Sequence, residues 1–200
     1  MKRIIIAVLA MLTLPSAMAN FKEGTHFEVV RQTATAKPEV IEFFSYYCPH
    51  CFRFEPVAEE IKASLPEGVS FKKNHVSFLG GPMGEEMARA YATAEVLKTE
   101  KTFSAAMFDA IHRQGQRFSG RDDIRKIFVA TGVDGADVDA ASESFVVNGM
   151  LAQMDKNTMT YQIRGVPAVV VNGKYQVNTG SVKSVEELVE LVNFLVAKND

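Results

Sequence analysis

Cysteine is scarce in this chain, whose 200 residues contain only Cys48 and Cys51. With 47% hydrophobic residues, the chain can bury a substantial core without disulfide braces. A bridge between two cysteines this close in sequence would also remove little entropy from the unfolded chain, so a purely structural disulfide is a poor explanation for the pair. The two cysteines are therefore free to do chemistry.

A strong charge of one sign is also missing. The chain has 22 basic and 24 acidic residues, a net charge of −2 with histidine neutral. Loss of residues 1–19 would remove Lys2 and Arg3 but no acidic residue, which leaves a net charge of −4. This mild acidity gives no sign of nucleic-acid binding, and we expect no nucleic-acid partner.

Long apolar runs are absent beyond the first residues. Lys2 and Arg3 precede an apolar stretch over residues 4–12, and Ala17-Met18-Ala19 follows it. These are the three parts of a secretory signal peptide, and the apolar stretch is short for a membrane span. An uncleaved anchor is the alternative. We expect cleavage near Ala19-Asn20 and export to an oxidising compartment.

The two cysteines form the motif Cys48-Pro49-His50-Cys51, directly after the apolar run at residues 40–44. A turn from strand into helix would put Cys48 at a helix N-terminus, where free N–H groups and the helix dipole stabilise a thiolate. Pro49 suits the first helical position, and His50 adds an imidazole beside the sulfur. Because the thiolate is the species that attacks disulfides, the motif predicts a redox-active dithiol.

Two other readings of the motif stay open at this point. Structural zinc normally takes four protein ligands, and His26, His75 and His112 are not at a recognisable ligand spacing. A metal chaperone that uses both cysteines and one histidine nevertheless remains an alternative. So does a thiol reductase or disulfide isomerase in place of an oxidase.

The elements predicted along the chain indicate an α/β fold. We predict strands at 27–30, 40–46 and 69–76, with a helix at 48–64 between the second and the third. Helices follow near 83–97, 101–113, 121–131 and 138–162. The last predicted elements are strands at 167–171 and 174–177 and a helix at 185–198. The helix at 138–162 has a possible break near Gly149. Ser119 starts a capping-box pattern, and Asn172-Gly173 predicts a type I′ turn. We expect about five strands in one sheet, with residues 20–79 and 163–200 forming one domain and residues 80–162 a helical insertion.

Several motifs resemble the DsbA family of the thioredoxin superfamily across nearly the whole chain after residue 20. They are residues 42–51 around Cys-Pro-His-Cys, residues 65–69, 144–147 and 171–176, and Arg164-Gly165-Val166-Pro167-Ala168. The resemblance implies a thioredoxin-like fold with a mixed sheet, and a monomeric protein disulfide oxidase in the Gram-negative periplasm. It also implies a cis peptide bond at Val166-Pro167, facing the dithiol and binding substrate.

Glu42 lies inside the most apolar strand, where a charged carboxylate is expensive to bury unless it is paired. Lys73 in the neighbouring strand is the plausible partner, and the alternative is that Glu42 faces solvent at a strand edge. The resemblance implies that Glu42 and Lys73 lie beneath the dithiol, tune it and move protons. Glu55, one helical turn past Cys51, is more simply a solvated residue that modulates the thiolates weakly.

The resemblance implies the following reaction. A substrate thiolate attacks Cys48 of a Cys48–Cys51 disulfide, and the substrate's second thiol then displaces Cys48 from the mixed disulfide. The enzyme's own disulfide is the oxidant, so neither a metal nor an organic cofactor is expected. The expected partners are reduced or unfolded exported proteins and a DsbB-like, quinone-linked inner-membrane oxidase that restores the disulfide.

Overall fold

A computed structural model describes residues 21–198. The expected signal peptide at residues 1–19, with its junction at Ala19-Asn20, lies outside the described residues. Within residues 21–198, no helix combines the length and the apolar character that crossing a bilayer requires.

Five strands form one mixed sheet in the order β1-β5-β4-β2-β3. Only β2 and β3 run parallel, whereas β1–β5, β5–β4 and β4–β2 are antiparallel pairs. The strands are β1 Phe27–Val29, β2 Glu39–Phe44, β3 Ser70–His75, β4 Ala168–Val171 and β5 Tyr175–Val177. The predicted thioredoxin-like α/β class with a five-stranded mixed sheet is confirmed.

Among the described residues, seven α-helices and one short 3₁₀ helix accompany the sheet. Helix α1 (Pro49–Ser64) connects β2 to β3, and α7 (Val185–Ala197) ends the fold. Between β3 and β4 lie five consecutive helices: α2 Pro82–Val96, α3 Glu100–His112, α4 Arg121–Ala130, α5 Gly135–Ser142 and α6 Phe145–Thr160. The 3₁₀ helix is Thr179–Ser181.

Strand β2 is buried along its whole length because layers cover both faces of the sheet. On one face, α1 and α7 pack Ile61 and Leu191 against Val40 and Val169. The opposite face is covered near Tyr161, after the end of α6. Each aliphatic side chain buried in this way stabilises the fold by roughly 1.5–3 kcal/mol.

Helices α2 and α3 pack against the end of β2 that leads into Cys48. Tyr91 from α2 and Phe108 from α3 are buried against Phe44 and Tyr46. Ring centroids of Phe44 and Tyr91 lie 5.2 Å apart, and those of Tyr46 and Phe108 also lie 5.2 Å apart. This aromatic layer holds the end of β2, and with it the chain that enters α1.

The helix predicted over residues 138–162 is two helices, and the predicted break near Gly149 is wrong. Helix α5 ends at Ser142 and α6 begins at Phe145. Ser144 caps α6 because its hydroxyl accepts a hydrogen bond from the Val147 N–H at 3.2 Å. Gly149 lies inside α6, where the rest of the helix continues undisturbed.

The two turn predictions have opposite outcomes. Asn172 and Gly173 have φ values of 53° and 60°, as a type I′ turn requires, so this hairpin prediction is confirmed. Ser119 does not cap α4, since Gly120 occupies the N-cap position. Instead, the Asp123 carboxylate accepts hydrogen bonds from the Ser119 N–H at 3.0 Å and from its hydroxyl at 2.8 Å.

Candidate active site around Cys48 and Cys51

The chain turns sharply from β2 into α1 at Cys48. Cys48 is the N-cap of α1, with extended backbone angles (φ −91°, ψ 111°), and Pro49 occupies the first turn. The Cys48 Sγ accepts a hydrogen bond from the Cys51 N–H at 3.1 Å. This N–H is one of those that have no partner within the helix, so it stabilises negative charge on the sulfur.

The two sulfur atoms differ in access and in protonation. Cys48 is 5% exposed, whereas Cys51 has no exposed surface. Burial, reinforced by the hydrogen bond with Cys48, raises the pKa of the Cys51 thiol far above its ordinary value. An incoming group therefore reaches Cys48 first, and Cys51 strongly favours its protonated form.

The loop before β4 brings Val166 and Pro167 to the dithiol. The Val166–Pro167 peptide bond is cis. The Cys48 thiol donates a hydrogen bond to the Val166 carbonyl oxygen at 3.3 Å, although the two residues are 118 positions apart in sequence. This carbonyl is thus the backbone acceptor that faces the more accessible sulfur, whereas the Cys51 N–H is a backbone donor to it.

Glu42 lies on β2 directly opposite Lys73 on β3, and it is fully buried. The Lys73 Nζ lies 3.3 Å from Glu42 Oε2 and 4.5 Å from the centre of the Phe44 ring. Its hydrogen bond goes instead to Glu55 Oε1 at 2.5 Å. The alternative that Glu42 faces solvent is wrong, and Glu55 is not a freely solvated residue because it is tied to Lys73.

Burial and the lysine act in opposite directions on Glu42. Burial raises the pKa of Glu42 to about 7, and the positive charge of Lys73 opposes this rise without cancelling it. Burial by itself would lower the pKa of Lys73, but Glu42 and Glu55 together raise it. A buried carboxyl that titrates near neutrality thus lies in the strand that leads to the dithiol, beside an ammonium that stays charged.

Two histidines hold the backbone just before the dithiol. No pattern in the sequence linked either of them to it. His75 Nε2 accepts a hydrogen bond from the Tyr46 N–H at 3.0 Å, and His112 Nε2 donates one to the Tyr46 carbonyl at 2.7 Å. Burial lowers the pKa of His75 to about 3, which keeps its ring neutral and able to accept. Both act through long-range contacts, for which a single sequence carries no signal.

A close approach of Gly80 fixes the other side of this loop. Gly80 has φ +91°, and a Cβ built there would lie 2.4 Å from Cδ2 of the Tyr47 ring. Only glycine allows both this backbone conformation and this distance. The loop between β3 and α2 therefore packs directly on the residue that precedes Cys48.

A shallow groove of about 640 Å³ lies beside the dithiol, between α1, the Val166–Pro167 loop and the start of α7. His50 and Arg53 lie at its edge, and the Arg53 guanidinium bonds to His50 Nδ1 at 2.9 Å. The other residues that line it are Phe54, Val57, Val166, Pro167, Thr179, Val182, Lys183, Ser184, Val185 and Leu188. We call it the α1–α7 groove.

The described residues offer no ligand set for a metal. Within residues 21–198, no three side chains of histidine, cysteine, aspartate or glutamate come together in a way that could hold an ion. His50, the histidine nearest to the cysteines in sequence, directs Nδ1 to Arg53.

Known proteins resemble this chain over almost all of the described part. The family described as DSBA-like thioredoxin domain matches residues 39–192. Thiol:disulfide interchange protein DsbA of Salmonella typhimurium is 39% identical, over 99% of this chain and all of its own length. The DsbA of Escherichia coli K12 is 38% identical, over 89% of this chain and 87% of its own.

Solved structures agree with these sequence matches. A complex of Proteus mirabilis DsbA with a non-covalently bound peptide, PWATCDS, has a TM-score of 0.83 at 36% identity and covers 90% of this chain and all of its own. A crystal structure of the disulfide oxidoreductase DsbA from Proteus mirabilis has a TM-score of 0.81 at 39% identity. It covers 90% of this chain and 98% of its own.

Proposed function

The chain belongs to the DsbA family of thioredoxin-like proteins and is a thiol:disulfide oxidoreductase, and from this premise we propose that it oxidises the dithiols of reduced exported proteins in the periplasm. The observation that carries the proposal is the hydrogen bond from the Cys51 N–H to Cys48 Sγ at 3.1 Å, at the N-terminus of α1. Such a site stabilises Cys48 as a thiolate and therefore as a leaving group.

The reaction begins from the Cys48–Cys51 disulfide. A substrate thiolate attacks Cys48 Sγ, the Cys48–Cys51 bond breaks, and Cys51 leaves with the electron pair and takes up a proton. The second substrate thiolate then attacks the substrate sulfur of the mixed disulfide and displaces Cys48. Two electrons pass in total from the substrate dithiol to the enzyme, and a disulfide remains in the substrate. Of the two protons that the substrate thiols release when they become thiolates, one is balanced by the proton that Cys51 takes up, and the other stays in solvent because Cys48 leaves as a thiolate.

The surroundings of the cysteines support this direction of transfer. The raised pKa of Cys51 means that this sulfur holds a proton once it is released from the disulfide. Glu42, with a pKa of about 7, can supply that proton and recover it later, while Lys73 and Glu55 keep a charged network beside it. We assign these three residues to proton supply and to tuning of the dithiol.

The substrate would bind as an extended segment next to Val166 and Pro167. Once Cys48 loses its proton, its hydrogen bond to the Val166 carbonyl is lost, and that carbonyl can accept from a substrate N–H in the manner of an added strand. The apolar α1–α7 groove continues from this point. The Proteus mirabilis relative has been solved with a non-covalently bound peptide that contains a cysteine, which supports the proposal that cysteine-containing segments are bound.

The enzyme needs a partner that removes the two electrons. We propose a DsbB-like, quinone-linked inner-membrane protein for this role, and a monomeric enzyme that carries no cofactor because its own disulfide is the oxidant. Reoxidation would use the same surface around Cys48, so the reoxidant and the substrates would compete for the enzyme.

The redox equilibrium of residues 20–200 in glutathione buffers tests the direction of the reaction. We expect the Cys48–Cys51 couple to be much more oxidising than glutathione and to be absent in Cys48→Ser. A couple as reducing as that of thioredoxin would instead indicate a reductase.

A trapping experiment tests which sulfur reacts. Cys51→Ser, whose Cys48 is first converted to a mixed disulfide with thionitrobenzoate, should be attacked by the single thiol of a reduced substrate protein. It should release thionitrobenzoate and accumulate the disulfide between the substrate and Cys48, as measured by intact mass. The matched variant Cys48→Ser should trap far less, because Cys51 is buried. Equal trapping by both variants would overturn the assignment of Cys48 as the attacked sulfur.

A further inference from the structure

We propose that the α1–α7 groove selects segments that carry an acidic side chain near their cysteine, and that Arg53 and Lys183 are the residues that make this selection. The inference rests on the proposed function, since it concerns which dithiols reach Cys48. It goes beyond that function because it names a charge preference and the side chains responsible.

The groove combines an apolar floor with a basic edge. Its floor is formed by half-buried or buried apolar side chains, among them Phe54, Val57 and Leu188. Arg53 and Lys183 are both exposed at its edge, and none of the described residues that line it is a carboxylate. Since the whole chain carries a net charge of −2, this basic edge is opposite in sign to the molecule.

The two cations are available for a ligand. Across residues 21–198, neither Arg53 nor Lys183 forms an ion pair, whereas Arg121 and Arg125 on the inserted helices are paired with carboxylates. Because these cations are unpaired, a substrate carboxylate can bind them without first breaking an ion pair within the protein.

Two acidic residues of α1 and α7 are engaged elsewhere. Glu55 on α1 bonds to Lys73 and does not line the groove. At the start of α7, the Glu187 carboxylate accepts from the Lys183 backbone N–H at 2.7 Å, and the Glu187 N–H bonds to Ser184. These contacts fix the end of α7 and leave the Lys183 ammonium without a carboxylate partner among the described residues.

Arg53 is placed to act close to the reacting sulfur. It lies five positions after Cys48 in the first turns of α1, and one of its N–H groups is used by His50 Nδ1 at 2.9 Å. A guanidinium has five N–H donors, so donors remain for a substrate carboxylate. Lys183, which lies just before α7, supplies a second charge at the edge of the same groove.

Three dithiol peptides test the preference. They share the same two cysteines and the same apolar neighbours, and they carry Glu, Gln or Lys beside each cysteine. The rate of their oxidation by the disulfide form of residues 20–200 is compared with the rate for Arg53→Gln/Lys183→Gln. For each peptide, dividing the wild-type rate by the variant rate cancels the intrinsic reactivity of that peptide. Any change in redox potential that follows from the altered His50 contact affects the three quotients equally, so it cancels when the peptides are compared with one another.

The expected ratio of wild-type to variant rates is about tenfold larger for the Glu peptide than for the Lys peptide at low ionic strength, and about twofold larger at high salt. The matched variant Lys62→Gln/Lys101→Gln removes the same charge from exposed positions outside the groove and should give equal ratios. Equal ratios for Arg53→Gln/Lys183→Gln at low salt would overturn the inference. Failure of the proposed function is distinct, because the wild-type protein would then not oxidise the Gln peptide.

Discussion

The buried carboxyl of Glu42 gives the folded protein a stability that depends on pH. Its pKa is raised from 4.5 to about 7, mainly by burial. Between these values the folded protein holds a proton that the unfolded chain has released, so the free energy of unfolding falls as the pH rises through this window. The substitution Glu42→Gln keeps the size of the side chain and removes this titration.

The magnitude follows from the shift. One pKa unit corresponds to about 1.4 kcal/mol, so a group that is fully buried and shifted to about 7 should lose roughly 3 kcal/mol of stabilisation between pH 4 and pH 8. We therefore expect the unfolding free energy of wild type, minus that of Glu42→Gln, to fall by this amount over the range. Lys73 keeps Glu55 as a partner in the variant, so no buried charge is left alone.

Denaturant unfolding of both proteins at several pH values measures this difference. Both are studied with Cys48 and Cys51 joined as a disulfide, so that thiol titration does not contribute. Titration of His75 is common to both proteins and cancels. Glu60→Gln, which also removes one exposed acidic residue from α1, is the control for the change in net charge. If the unfolding free energy of wild type minus that of Glu42→Gln did not change with pH, the proposed effect of burial on Glu42 would be refuted. If this difference rose with pH, the attraction of Glu42 to Lys73 would outweigh the effect of burial.

Two further predictions concern the residues that support the dithiol loop. Gly80→Ala should lower the free energy of unfolding by about 2–4 kcal/mol, because a Cβ there meets the Tyr47 ring. Gly132→Ala has the same φ of +91° but open space around the new Cβ, and it should lower the free energy of unfolding by only about 1 kcal/mol in the same denaturant titration. Tyr46→Phe removes the 2.8 Å hydrogen bond to Ser104 and leaves the Ser104 hydroxyl unsatisfied, so it should lower the free energy of unfolding by about 1–2 kcal/mol. The double variant with Ser104→Ala should recover most of this loss, and no recovery would contradict the role of the unsatisfied hydroxyl.

Local patterns in the sequence were sufficient for most of the fold. The apolar run at residues 40–44 predicted a strand, and β2 lies there and is buried along its whole length. The strand, the Cys-Pro-His-Cys turn and the amphipathic run that follows predicted where α1 starts, because helix starts depend on residues close in sequence. The end of α5 was missed, since Gly149 has a stronger breaking tendency than the Glu143-Ser144 junction where the chain actually turns.

The dithiol was determined by the sequence alone, because its chemistry depends on two cysteines, a proline and a histidine that are adjacent in the chain. The environment of the dithiol was decided by the tertiary structure. The Val166 carbonyl reaches Cys48 across 118 residues, and Lys73 is shared between Glu42 and Glu55 because β3 pairs with β2 while α1 crosses above them. Hydrogen bonds and charges act over a few ångströms of space, and only the folded chain determines which distant residues come within that distance.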